Sequence, residues 1–241
     1  MTATRDEKKL EVGDVIGKAF EVWLKNLIAF AVITLIVYSP VILLTVLNQG
    51  SDPASAQKMQ LFTSIVQMAL GSVAAGALTY GVLQALRGKP ISIGECISTG
   101  FGRLLPVLGV SLLVGVCVGV GLVLLVVPGL ILMCMLAVAV PVAVVEKPGV
   151  MASLSRSSEL TKGFKWTIFF VFLALILLGM LISLVLAIPF AMMGTLGIVI
   201  ATSLSLVISG ALQAALPAVI YQRLRDIKEG ASVEDLAKVF D

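Results

Sequence analysis

The sequence predicts an all-α membrane protein with six transmembrane helices arranged as three hairpins. Each hairpin is preceded by a short cytoplasmic interfacial amphipathic helix. Three observations carry this reading. First, 59% of the 241 residues are hydrophobic and only 13% are charged, with a mean hydropathy of +1.10; soluble domains average roughly 45–50% apolar. Second, uncharged apolar runs recur at about the 20-residue length that crosses a bilayer. Third, the basic residues sort to one side of those runs. A soluble globular domain, a disordered chain and a fibrous repeat are excluded. So is a β-barrel, because its strands alternate apolar and polar residues and the run from Ile168 to Ile188 does not.

The spans follow in order. The first uncharged run is Leu27 to Leu47 and the second is Leu61 to Leu86. The third, Leu104 to Val145, holds 42 residues without a charge, twice what one span needs. Pro128-Gly129 interrupts it and predicts two helices, Leu104–Val127 and Leu130–Val145, joined by a tight turn. The last run, Trp166 to Tyr221, is 56 residues long and divides near Pro189 to Gly197. No cleavable signal peptide is expected, since the charged N-terminal stretch leads into a full-length span.

Orientation follows from the basic residues in the flanking segments. The N-terminal segment holds five, the second loop three (Arg87, Lys89, Arg103), the fourth loop four (Lys147, Arg156, Lys162, Lys165) and the C-terminal tail four. The first loop holds only Lys58. Both termini and the even-numbered loops are therefore expected in the cytoplasm. Trp23, Trp166 and Tyr221 sit where an interfacial aromatic belt would place them.

The segment before each hairpin repeats. Val12-Gly13-Asp14-Val15-Ile16 with Ala19-Phe20 matches Ile93-Gly94-Glu95-Cys96-Ile97 with Gly100-Phe101 at a constant offset. Val12, Val15, Ile16, Ala19, Phe20 and Trp23 share one helical face. Ser92 and Glu95 form a capping box. Residues 149–165 offer Val150, Leu154 and Leu160 for the same role. The hairpin ends repeat too, with Gly81, Pro141 and Pro217 each six residues before a basic side chain. The expected organisation is one membrane domain, 1–241, of parallel repeats 10–87, 91–147 and 149–223, with a short amphipathic tail at 229–241. Ser111, Gly115 and Gly119, and likewise Ala201, Ser205 and Ser209, form small-residue stripes suited to close packing of helices or, second, to a dimer seam.

Chemistry is scarce. There is no histidine, so the commonest general base and metal ligand is missing. Cys96, Cys117 and Cys134 lack metal spacing and read as packing thiols. No Asp, Glu, Lys or Arg lies within a span, which argues against proton relays, pumps and voltage sensors. The span polar groups, Gln67, Gln84 and Gln213 among them, read as interhelical hydrogen bonders worth roughly 0.6 kcal/mol each. The alternative is a polar or lipid path lined by Thr202, Ser203, Ser205, Ser209 and Gln213. Arg87, Lys89, Arg103, Arg156, Lys162, Lys165 and Arg223 set orientation and general lipid attraction, or form a specific anionic-headgroup or partner site. No nucleotide motif and no nucleic-acid-binding stripe is present.

Val127-Pro128-Gly129-Leu130, then Pro141, then Ser157, Leu160, Gly163 and Trp166 resemble the glycerophosphoryl diester phosphodiesterase membrane-domain and YciC-like family of prokaryotic membrane proteins. The resemblance covers about residues 10–225 and implies a six-span fold. Some members carry a soluble phosphodiesterase domain; the metal-ligand set for it is absent here, so the enzymatic label does not transfer.

The expected function is a non-enzymatic, cofactor-free protein of a prokaryotic cytoplasmic membrane, acting as scaffold, accessory subunit or envelope and lipid-homeostasis factor. Its partners would be membrane lipids, anionic ones included, and a protein partner or second copy. The alternative is a small permease or channel for a neutral or lipid-like solute. A cysteine introduced by Gly50→Cys, with the native cysteines changed to serine, is expected to react with impermeant maleimide only from outside intact cells. Labelling only from the cytoplasmic side of inverted vesicles overturns the orientation.

Overall fold

The computed structural model describes residues 10–47, 53–191 and 194–230. These form ten α-helices, and no strand occurs among them. They are α1 (Val12–Lys25), α2 (Leu27–Leu47), α3 (Pro53–Leu86), α4 (Ile93–Gly102), α5 (Leu104–Leu124), α6 (Val126–Met135), α7 (Ala139–Val145), α8 (Val150–Thr161), α9 (Lys165–Ala191) and α10 (Gly194–Glu229). Five helical segments are long and apolar enough to cross a membrane: Leu27–Thr45, Gln57–Leu86, Leu104–Leu124, Val126–Val145 and Lys165–Phe190. The chain thus has the make-up of a membrane-embedded helical protein. The tail expected at 229–241 lies almost wholly outside the described residues.

The helices nest in a regular way. The second helix of each pair faces inward: α3 packs against both α7 and α10, and α7 against α10. The first helices lie outside. Thus α2 contacts α3 and α10, α5 contacts α6 and α3, and α9 contacts α10 and α6. The short helices complete the pattern, α4 on α3, α8 on α7, and α1 on α10. Trp23 Nε1 donates to the Ile208 carbonyl at 3.2 Å and fixes α1 to α10. Outward surfaces carry large apolar side chains, such as Leu177, Met180, Leu181 and Leu184 on α9.

Two close approaches explain the tightness. A Cβ at Gly100 would sit 2.5 Å from the Val73 carbonyl oxygen, so α4 reaches α3 only because that carbon is missing. Cys96 meets Gly81 while Gly100 meets Val73 and Ala77, so α4 runs antiparallel along α3. The flat-lying helix expected from sequence is instead packed lengthwise on its neighbour. At the second approach, a Cβ on Gly129 would fall 2.6 Å from the Leu122 backbone nitrogen. Gly115 and Gly119, by contrast, meet nothing within 4 Å. The α5 stripe is therefore not what brings these helices together.

The turn between α5 and α6 also differs from expectation. The chain bends at Leu125, whose backbone is extended, and Pro128 and Gly129 lie inside the first turns of α6. Proline is accepted there because the first helical N–H groups have no partner within the helix. The next expected span, Leu130–Val145, is broken at Leu136–Val138. Pro141 explains the break. It has no N–H for the Ala137 carbonyl, and its ring crowds that turn. Ser157 of α8 repairs the damage. Its hydroxyl donates to the Met135 carbonyl at 2.8 Å and accepts the Val138 N–H at 3.3 Å. The Thr161 hydroxyl lies 3.1 Å from the same carbonyl. The buried face of α8 is accordingly Ser153, Ser157, Leu160 and Thr161, more polar than the Val150, Leu154, Leu160 face expected. In α2, Pro40 leaves the Ile36 carbonyl without its helical donor, and Ser39 supplies its hydroxyl at 2.8 Å. The division expected near Pro189 to Gly197 falls where α9 ends at Ala191 and α10 begins at Gly194.

Ser157→Ala is expected to cost about 1–3 kcal/mol, because it strands the buried Val138 N–H at the α6–α7 break and leaves the Met135 carbonyl to Thr161 alone. Thermal unfolding in detergent, followed by circular dichroism, measures it. An unchanged midpoint shows that the break needs no cap.

Candidate functional site

A chamber of about 480 Å³ lies among the helices and is walled by residues of α2, α3, α5, α6, α7, α9 and α10. Its surface is apolar for the most part, with Leu78, Met133 and Phe172 prominent. Tyr38, Thr79, Ser111, Ser209 and Gln213 place polar groups along it. Pro141 and Pro217 line it from two of the inward helices. Each also leaves the carbonyl four residues earlier, on Ala137 and Gln213, without its usual helical donor. Both of those residues line the chamber as well. This arrangement suits an amphipathic guest, mostly hydrocarbon with a few oxygens to satisfy.

A larger cleft of about 790 Å³ runs between α9 and α10, lined by Leu175, Ile176, Gly179, Met180 and Ser183 among others. It shares Phe172, Ser209 and Gln213 with the chamber. The chamber and the cleft therefore abut at those three residues. Of the polar path expected from sequence, Ser209 and Gln213 reach the chamber. The Ser209 hydroxyl donates back to the Ser205 carbonyl, and the side chains of Thr202 and Ser203 lie outside the described set. Gln67 is exposed. Gln84 is buried and donates to Tyr80 Oη at 2.7 Å. Ser111 and Gly115, expected to pack helices, line the chamber wall instead.

The basic residues expected to act together divide into separate groups. Arg156 is engaged in an ion-pair network. Its Nε donates to Glu146 Oε2 at 3.0 Å, and its other nitrogens face Glu229 and, at 3.9 Å, Glu159. Arg225 joins Glu229 at 2.9 Å, and Tyr221 Oη donates to Glu146 Oε1 at 2.9 Å. Lys228 caps the Glu159 carbonyl at the end of α8. Burial, with Lys162 and Arg156 close by, holds its pKa below the ordinary lysine range. The network joins the end of α7 to α8 and α10, and its chemistry is that of a clamp. Lys162, Lys165 and Arg223 are exposed around it, as are Lys89 beside α4 and Trp166 at the start of α9. Gly163, at φ +97°, makes the turn between α8 and α9.

Arg103 lies elsewhere, at the α4–α5 junction, in a smaller pocket of about 320 Å³ with Tyr80, Thr99, Gly102, Val144 and Lys147. Lys147 was not singled out from the sequence. Its position before Pro148 was the available signal, since a residue there is restricted in backbone. The structure gives it φ +57°. Ser92 caps α4 as expected, accepting the Glu95 N–H at 3.5 Å. The Glu95 carboxylate does not complete the box but faces Tyr80 Oη at 3.5 Å.

Cys96 and Cys134 are buried and Cys117 is exposed on α5, so only two of the three thiols pack inside the chain. Burial, with Glu95 adjacent, pushes the Cys96 thiol up to about 11. No group of residues suited to holding a metal ion occurs among the described residues. Comparisons with protein-family models, with curated proteins and with solved structures found no match.

Arg156→Ala is expected to destabilise by about 1–3 kcal/mol, between the values typical of exposed and buried pairs. It leaves Glu146 and Glu229 without their shared cation. Glu229→Gln should cost less. Melting midpoints in detergent compare them, and equal midpoints for all three proteins remove the clamp.

Proposed function

We propose that this chain is a non-enzymatic integral membrane protein that holds a lipid-like amphiphile within its helical bundle. The chamber carries the reading. It is walled by every long helix, is mostly apolar, and abuts the outer cleft at Phe172, Ser209 and Gln213. From sequence, a solid, Gly/Ser-packed centre would favour a scaffold, and a continuous polar cavity along the second, fourth and sixth spans would favour a permease for a neutral or lipid-like solute. The centre is open but mostly apolar, which suits a lipid-like guest. Binding of Arg156 within an internal network leaves the scaffold reading with fewer cytoplasmic groups to offer a partner.

We take α10 as a sixth span, supported by its uncharged stretch from Gly194 to Gln222. Both termini then fall on the basic, cytoplasmic side of a prokaryotic membrane. The nesting of helices supports three parallel repeats, since α1, α4 and α8 each lie on the inward helix that precedes them around the ring. The resemblance to the phosphodiesterase membrane-domain and YciC-like family is in keeping with this organisation and adds no activity to it.

Gly115→Phe tests the reading. Gly115 lines the chamber, and a side chain added there meets nothing within 4 Å at its first carbon. The full chain in detergent is titrated with dioleoylglycerol and bound lipid is counted by native mass spectrometry. The wild type is expected to retain lipid, and the variant to lose most of it with an unchanged melting midpoint. Equal retention, or none by the wild type, sinks the proposal.

A further inference from the structure

The small pocket beside Arg103 has a composition that the chamber lacks. Two cations, Arg103 and Lys147, line it together with the hydroxyl-bearing side chains of Tyr80 and Thr99, and no acidic residue does. Of the carboxylates beside it, Glu95 accepts the Tyr80 hydroxyl at 3.5 Å, and Glu146, next to Lys147 in the chain, is engaged by Arg156 and Tyr221. Guanidinium, ammonium and hydroxyl groups gathered in one concavity match the oxygens of a phosphate group, which an arginine engages in a two-pronged fashion.

The backbone adds a second observation. Lys147 is the one non-glycine with positive φ among the described residues, at +57°, and it precedes a proline. Both conditions disfavour that conformation. Strain of this kind persists where the surroundings impose it, and it gathers at ligand clamps. Here it sets the lysine at the pocket wall, immediately after α7.

Position gives a third. Val144 lines this pocket and Val140 lines the chamber. They stand one turn apart on the same face of α7, about 6 Å along its axis. On α3, Thr79 lines the chamber and its neighbour Tyr80 lines the pocket. The two cavities are thus adjacent along one α3–α7 seam, the basic one toward the charged end of α7.

We infer that the Arg103–Lys147 pocket binds the phosphate group of an anionic phospholipid whose acyl portion occupies the chamber. This rests on the chamber reading and names its ligand class. The phosphate is held by Arg103 and Lys147, with Thr99 donating its hydroxyl hydrogen. The acyl portion enters from the bilayer side, through the cleft between α9 and α10.

The test compares dioleoylphosphatidic acid with dioleoylglycerol, which has the same chains and no phosphate. Both are titrated onto the full chain in detergent and read by native mass spectrometry. The wild type is expected to bind the phosphatidic acid about tenfold more tightly, as charge-assisted hydrogen bonds of this type imply. Arg103→Gln with Lys147→Gln should abolish that preference and leave dioleoylglycerol binding intact, which also shows that the variant is folded. Lys89→Gln with Arg223→Gln removes as much charge from exposed sites and should keep the preference. Inorganic phosphate at millimolar concentration separates the sources. Little competition assigns the site to a lipid headgroup, and full displacement of the phosphatidic acid assigns it to free phosphate and overturns the lipid assignment. A preference that survives in the Arg103/Lys147 variant, or is lost equally in the Lys89/Arg223 variant, overturns the pocket. Loss of dioleoylglycerol binding by the wild type counts against the chamber itself, a separate failure.

Discussion

Backbone hydrogen bonding governs how this chain can bend. In surroundings without water, every N–H and C=O must find a partner inside the protein. Where α2 passes Pro40, Ser39 supplies the missing donor locally. Where the segment containing Pro141 breaks, the partners come from another helix, through Ser157 and Thr161 of α8. The position of α8 is thus dictated by a defect in its neighbour. Once α8 is seated, Arg156 is placed to gather Glu146 and Glu229, and the end of α10 is drawn in. One proline thereby organises the basic end of the bundle.

The same prolines shape the interior. Straight helices with large side chains on every inward face would close the centre. Instead Pro141 and Pro217 face it, accompanied by Gly71, Ala74, Ala75, Gly115 and Gly210, and a volume remains. Small residues have two opposite uses in this molecule. At Gly100 and Gly129 they permit contact between backbones. At Gly115 they leave space. Lipid tails provide no hydrophobic drive toward a filled core, so an internal volume carries a smaller penalty here than in a soluble protein, provided a guest of similar apolarity occupies it.

Much of the helical layout was legible in the sequence, because the signal, length of uncharged run, is the property that a bilayer selects. The helices α2, α5 and α9 follow the runs closely, and α3 ends with its run at Leu86 but begins earlier, at Pro53. Ser92 at the start of α4 was legible for a local reason, a side chain three residues from the N–H it caps. The Leu125 bend was missed since Pro128 marks the start of a helix as readily as the end of one. The role of Ser157 was hidden because its partners, Met135 and Val138, are about 20 residues away, so no local rule connects them. Of the chamber, the Ser209 and Gln213 wall was legible as a polar path, and the wall on α5 was not. A Ser-Gly-Gly stripe reads alike whether it touches another helix or a void. A count of charges includes Lys147 but carries no information on its backbone angle.

The bond from Trp23 to the Ile208 carbonyl joins positions 185 residues apart. Its consequence is a matter of timing. A ribosome adds about 5–20 residues per second, so roughly 10–40 s separate the synthesis of the two partners. Through that interval α2 to α7 can insert and pair, while the face of α1 carrying Val15, Ala19 and Val22 has neither α9 nor α10 to lie against. A helix made early is therefore seated late, and a nascent chain halted before α10 would leave an oily strip exposed to chaperones and proteases.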